Sequence, residues 1–167
     1  TTTAADGMEV ENDTGEINEL RKIIIEALFV EGNHYCPFCE KSGNCELQAL
    51  AYRFGMMVPR FPYMFPTRDV SATEKIIKDQ NRCIMCKRCM RGIKDAEGKS
   101  YFAYENRGHK SIVMIDKEMA AKMTDAEASK AMEICPVGSI LKKEVGYKVP
   151  IGQRKFDINP IGSDIEK

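Results

Sequence analysis

Apolar residues recur at Ile17, Leu20, Ile24 and Leu28, the i, i+3, i+4 spacing that lines one face of an α-helix. Asp13 with Glu16 makes a capping-box-like start, so a helix is expected over 13–30. Its apolar face is read most simply as core, with partner docking as the alternative. A second helix is expected over 46–54, closed by Gly55. Pro59, Pro62 and Pro66 then punctuate Phe61, Tyr63, Met64 and Phe65, which predicts extended chain over 56–67. Such a Met and aromatic run suits either a subunit contact or a cover over a nearby site.

Ser71 with Glu74 predicts a short capped helix. Residues 101–104 and 111–115 read as two strands joined at the Asn106-Arg107-Gly108 turn. Thr124 with Glu127 opens a further helix that runs to Ile134 and stops at Cys135-Pro136. At the front, residues 7–10 read as the end of a strand whose partners lie upstream. Beyond Tyr147, a tail with little periodicity carries Pro150, Gly152, Pro160 and Gly162. It is expected to lie across a neighbouring subunit or to be disordered. The fold class is α+β, with short strands and several helices, and 167 residues allow one compact domain or two small ones.

Charge narrows the partners. Lys plus Arg and Asp plus Glu each number 25, without a long single-sign block, so no nucleic-acid partner is expected. No apolar run approaches the roughly 20 residues of a membrane span, and Ile23-Ile24-Ile25 is flanked by Lys22 and Glu26. The chain starts at Thr1 without a secretory signal, so we expect that its natural beginning lies upstream and that the protein is cytoplasmic. No G-x-G-x-x-G, G-x4-G-K-[ST] or H-E-x-x-H motif supports nucleotide binding or zinc hydrolysis.

Chemistry concentrates in the seven cysteines, an odd number set in two tight clusters and one Cys-Pro, which is a poor disulfide framework. Metal is the better reading. If His34 joins Cys36, Cys39 and Cys45, and Cys135 joins Cys83, Cys86 and Cys89, the eight donors divide into two sets of four and no thiol is left over. The second set reads C-x2-C-x2-C-x45-C. Three thiolates at intervals of three let a short loop curl around a four-iron cubane, as in bacterial ferredoxins. In the ferredoxin run a fourth Cys serves a twin cluster, whereas here Ile93 stands in that place, so the remote ligand is most economically Cys135. A four-cysteine zinc site is the alternative, although that usually shows two separated C-x2-C knuckles.

The first set reads H-x-C-x2-C-x5-C. A neutral imidazole in place of a thiolate makes a site less negative and shifts its potential. Zinc held by three Cys and one His, or His34 as a plain surface histidine, are the other readings. His109 has no cysteine nearby in sequence and is read as solvated. Lys87, Arg88 and Arg91 either draw an acidic partner or offset cluster charge.

The stretch His34-Tyr35-Cys36-Pro37-Phe38-Cys39-Glu40-Lys41-Ser42-Gly43-Asn44-Cys45 resembles the cluster loop in the small iron–sulfur subunit of NAD-reducing nickel–iron hydrogenases. Cys83-Ile84-Met85-Cys86-Lys87-Arg88-Cys89 with Cys135-Pro136 is similar to that subunit's second cubane site. Both motifs recur in the large iron–sulfur subunit of complex I and in iron-only hydrogenases, where the histidine lies four residues before the first Cys. Here that position is Gly32, and His34 lies two before, as in the soluble hydrogenase subunit. The run Phe61-Pro62-Tyr63-Met64-Phe65-Pro66 and the segment 146–155 also resemble that subunit.

The resemblance implies a remnant of an upstream [2Fe–2S] domain over 1–13, a [4Fe–4S] domain with one His and three Cys over 14–70, a reduced ferredoxin-like [4Fe–4S] domain over 71–146, and an extended tail over 147–167. It implies an electron-transfer subunit without its own active site, holding two [4Fe–4S] clusters. Electrons would pass between the small and large hydrogenase subunits and a flavin and NAD-binding diaphorase subunit. The iron–sulfur piece of a complex I-like or formate dehydrogenase assembly is the second expectation, and a structural zinc interaction module the third.

Overall fold

The Thr14 hydroxyl starts the first helix by accepting the Ile17 N–H at 3.3 Å. In the computed structural model, which describes residues 2–163, helix α1 therefore spans Gly15–Glu31. Asp13 is not the cap; it accepts a hydrogen bond from Asn18 Nδ2 at 2.7 Å. The predicted stripe is not the buried face. Ile17 and Leu28 are half-buried and Leu20 and Ile24 are 54% and 61% exposed, while the buried positions are Ile25 and Val30, so the expectation of a core-facing stripe is corrected. Ile24 and Leu28 border an apolar groove with Leu50 and Phe54 at helix α2 (Glu46–Arg53). Gly55, at φ 62, ends α2 in the left-handed region that glycine takes without strain. Residues 7–10 do not form a strand; Met8 N–H closes a turn on the Ala5 carbonyl and the segment is exposed.

The chain over 56–67 is extended, as its prolines demand. Met64 N–H bonds the Val30 carbonyl at 2.9 Å, and Arg60 Nε reaches both oxygens of the wholly buried Glu26 carboxylate at 3.0 and 2.9 Å. Phe61, Tyr63, Met64 and Phe65 all remain exposed.

The helix expected at Ser71 and Glu74 is instead a hairpin of β1 (Val70–Ala72) and β2 (Ile76–Asp79). Thr73 makes the turn, its hydroxyl accepting from Ile76 N–H and donating to the Ile76 carbonyl, and the β-branched Val70, Ile76 and Ile77 favour the pleated surface over a helix. Helix α3 (Arg88–Gly92) follows the second cysteine loop. Strands β3 (Phe102–Glu105) and β4 (Ile112–Ile115) form the expected antiparallel pair, with Asn106 and Gly108 at positive φ in the turn.

After the short α4 (Lys117–Ala120), the Thr124 and Glu127 capping box opens α5 (Asp125–Ile134), as the sequence predicts. Strand β5 (Ile140–Lys142) then returns beside β2, completing an antiparallel sheet in the order β1-β2-β5. Its register sets Lys78 opposite Ile140. Ile76, Ile93, Phe102, Val113 and Ala128 form the core behind this sheet and the second cysteine loop.

Most of 147–163 is exposed, and part of it is ordered against the first cysteine loop. Helix α6 (Lys155–Ile158) docks on the first cysteine loop, where Phe156 N–H bonds the Gly43 carbonyl at 3.0 Å. Residues 164–167 of the expected tail, and Thr1, lie outside the described residues. No helix among the described residues is long and apolar enough to cross a membrane.

Candidate metal centres

The first four donors come from one stretch of chain between α1 and α2. Pro37 opens a single 3-10 turn over Cys36–Phe38, Gly43 turns at φ 76, and Cys45 stands at the N-cap of α2, where the helix dipole favours a thiolate. His34, Cys36, Cys39 and Cys45 together line one small cavity. Phe29 closes it, its ring 5.5 Å from the His34 ring, and Arg82 reaches in with Nη1 3.7 Å from Cys39 Sγ. Burial, assisted by the Arg82 charge, holds the His34 imidazole at a pKa of about 4, so it is neutral at pH 7 with a lone pair free to ligate. Burial pushes the Cys36 thiol up, and the Cys45 thiol to about 11 against the opposing Gln48 and Leu47 N–H groups.

Two glycines are required by space. A Cβ on Gly32 would stand 2.6 Å from His34 Nε2, and one on Gly138 would collide with Cys39 Sγ. The imidazole thus occupies the place that a side chain at position 32 would take.

The second four donors converge from distant parts of the chain. Met85 and Lys87, at φ 55 and 66, curl the 83–89 loop through the left-handed region, the kind of backbone that turns N–H groups into an anion-binding concavity. Helix α5 delivers Cys135, and Pro136 prevents the helix from continuing. Cys83, Cys86, Cys89 and Cys135 line a second small cavity with Lys78, Lys87, Ser139 and Ile140. Burial raises the Cys89 thiol to about 12 and also raises that of Cys135, with the Val137 and Ile140 N–H groups pulling the latter back. Ile93, where a twin-cluster cysteine would stand, is buried core.

The two sites share a wall. Cys135 faces the second cavity and Gly138 the first, while the Pro136 carbonyl between them accepts the Glu46 N–H at 2.8 Å. All seven cysteines are free thiols. Among the described residues, no three His, Cys, Asp or Glu side chains close tightly enough to ligate a single ion. The donors ring a space rather than a point, and soft thiolates around a space suit a polynuclear iron–sulfur group.

Of the remaining candidates, Lys87 lines the second cavity and the others line neither. His109 is exposed. Arg88 pairs with Glu46 at 2.7 Å, Lys87 lies over the Tyr104 ring, and Arg91 is exposed. Sequence reasoning missed Arg82, Lys41 and Lys78. The last had a signal, since Ile76 and Lys78 alternate inward on β2, but only if the segment is read as a strand.

Comparison with known proteins fits this geometry. Residues 21–60 match the family described as the NADH-ubiquinone oxidoreductase-G iron–sulfur binding region. Residues 73–141 match that of the NADH-quinone oxidoreductase subunit 3 ferredoxin-like domain. The chain is 49% identical over 157 residues to the gamma subunit of the NAD-reducing hydrogenase HoxS of Cupriavidus necator, covering 93% of this chain and 67% of that protein. This chain belongs to the HoxS gamma family.

A crystal structure of an NAD+-reducing [NiFe]-hydrogenase in the H2-reduced state superposes with a TM-score of 0.82 at 39% identity, over 94% of this chain and 68% of that one. More distant relatives include a G-type component of the NADH-quinone oxidoreductase of Rhizobium meliloti, 32% identical, and the HndD component of the NADP-reducing hydrogenase of Solidesulfovibrio fructosivorans, 30% identical. The chain spans only 17% and 26% of those two proteins. As a HoxS gamma homologue with two iron–sulfur regions, it is an electron-transfer subunit of the oxidoreductase class.

Proposed function

We propose that this subunit holds two [4Fe–4S] clusters, one on His34, Cys36, Cys39 and Cys45 and the other on Cys83, Cys86, Cys89 and Cys135. It relays electrons between a nickel–iron hydrogenase module, comprising small and large subunits, and a flavin and NAD-binding diaphorase subunit in the cytoplasm. The chain itself contributes no active site. Residues 14–70 and 71–146 serve as the two cluster domains, 147–167 as an extended C-terminal tail, and 1–13 as the remnant of an upstream [2Fe–2S] domain.

The observation that carries this reading is the pair of four-donor cavities separated by the short 135–138 segment. Iron–sulfur is favoured over zinc because the two donor sets fall in an iron–sulfur binding region and a ferredoxin-like domain. When bound, each cluster supplies a one-electron carrier. The protein supplies a nearly dry cavity, hydrogen bonds and fixed charge, which set the potential and limit reorganisation.

Iron and acid-labile sulfide analysis of anaerobically purified protein tests the proposal. About four irons and four sulfides per site are expected, with a visible absorption band that dithionite bleaches. Stoichiometric zinc would overturn it. His34→Cys is expected to keep a cluster and lower its potential by adding negative charge, and an unchanged redox titration would remove His34 from the ligand set. Companion subunits that co-purify with the native protein test the partners.

A further inference from the structure

Lys78 is 1% exposed, among the most buried side chains in the chain, and it projects from β2 into the second cavity. Its Nζ donates to Ser139 Oγ at 2.7 Å and to Gln80 Oε1 at 3.2 Å. Both partners are neutral, and an ammonium has three donors. No carboxylate among the described residues lies within ion-pair distance of it. A buried cation without a counter-charge is costly, so such groups are paired or accompany an anion.

The other buried lysine differs. Lys41 donates to the Met132 carbonyl in the last turn of α5, where the helix terminus already supplies negative potential. Lys78 has no helix end. It shares the second cavity with the four thiol donors, three of them on a loop whose left-handed turns favour an anion, and with Lys87, which is exposed where Lys78 is buried.

The partners of Lys78 also fix its position. Ser139 Oγ donates onward to the Asp79 carbonyl, and Gln80 Nε2 donates to the Val113 carbonyl, so the ammonium is held by groups that are themselves anchored. The arrangement is built, not a lysine folded in by chance.

We propose that Lys78 is the buried counter-charge of the second cluster, holding its reduction potential above that of an otherwise identical site and leaving the first cluster untouched. This rests on the second cavity holding an iron–sulfur cluster. Reduction adds one negative charge to the cluster, so a fixed cation nearby favours the reduced form. In a partly buried setting, removing it is expected to shift the oxidised-to-reduced ratio at fixed poise by roughly tenfold or more, about 59 mV for a one-electron couple.

The test is a potentiometric titration, followed by electron paramagnetic resonance, of the purified full chain as wild type, Lys78→Met, Lys78→Gln and Lys78→Arg. Iron and sulfide are measured in each. The expected result is a lower potential for the second cluster in the Met and Gln variants, with the wild-type value kept in the Arg variant and the first cluster unmoved. If the neutral variants lose the second cluster while the Arg variant keeps it at the wild-type potential, the charge is again what matters. An unchanged potential in an iron-replete neutral variant, or loss of the cluster in all three variants, overturns the role of Lys78. Wild-type protein without iron and sulfide at the second site defeats the underlying cluster reading instead.

Discussion

The first donor set is local and the second is not. His34, Cys36, Cys39 and Cys45 lie within twelve consecutive residues, and what secures them is a helix start at α2 and a tail folded over the loop. Cys83, Cys86 and Cys89 share a short loop, but Cys135 reaches the same cavity only because α5 and β5 pack against the β2 sheet. The first cavity is therefore governed by loop restraint and the second by tertiary structure. Electrostatics diverge in the same way, with a neutral imidazole, three thiols and Arg82 in one, and four thiols, the buried Lys78 and the exposed Lys87 in the other.

Removing the remote donor breaks this contrast most severely. Cys135→Ala is expected to abolish the second cluster while sparing the first, leaving about half the iron and the spectrum of one cluster. Loss of the first cluster's signal alone would reverse the assignment. Ile76→Ala comes next. Ile76 is 0% exposed on β2, beneath the sheet that aligns Cys135, and emptying its place should cost about 2–5 kcal/mol. Denaturant titration of the loaded protein should show the second cluster bleaching before the first. Simultaneous bleaching would show that the two sites share one unfolding unit.

Much of this was legible in the sequence because cluster ligands obey spacing rules that do not depend on packing. The seven candidate donors on the two short loops, the capping box at Thr124, the hairpin around Asn106 and the stop at Cys135-Pro136 are all local signals. Ser71 and Glu74 misled, because a cap-like pair says nothing of the strand pairing: Ser71 on β1 stands opposite Lys78 on β2, which in turn stands opposite Ile140 on β5. Leu20 and Ile24 misled for a related reason: periodicity reports an apolar face, not what covers it. Lys78 was hidden by the misreading at Ser71 and Glu74, since its inward place shows only once 76–79 is read as a strand.

The imidazole gives the first site a pH response that the second lacks. In the metal-free chain His34 is held near pKa 4, against an ordinary 6.5, so between those values the unfolded chain binds a proton that the folded chain refuses. Its contribution is full above pH 6.5 and lost as pH falls toward 4. Between pH 7.5 and 5, urea unfolding should show a loss of about 2 kcal/mol that His34→Gln abolishes. An equal loss in that variant would assign the effect elsewhere. The raised Cys45 and Cys89 thiols act at the other end, costing stability as pH rises from 9 toward their folded values.

Gly32→Ala sharpens the point about imidazole delivery. Its methyl would press on His34 Nε2 and on the Asn81 carbonyl, 2.6 and 2.8 Å from its carbon. Overpacking of this kind costs about 1–2 kcal/mol, and the imidazole is the freer of the two neighbours. The first cluster's spectrum and potential should change while the second's do not. A wild-type first cluster would mean that the backbone at Gly32 yields instead.

The smallest expected effect falls on the strap over the first loop. Arg154 packs against Gly43 and pairs with Asp157 at 2.8 Å, while Phe156 N–H holds the Gly43 carbonyl. The ion pair lies near the surface, so Arg154→Ala should change global stability by less than about 1 kcal/mol. Its consequence is local. Gly43 belongs to the segment between Cys39 and Cys45, and loosening the strap admits solvent and chelator to that cavity without touching Cys135 or β5. The first cluster should therefore lose iron to a chelator faster than in wild type, with the second unchanged. If both clusters accelerated together, the tail would be restraining the whole fold, and the separation between a loop-held site and a fold-held site would have to be abandoned.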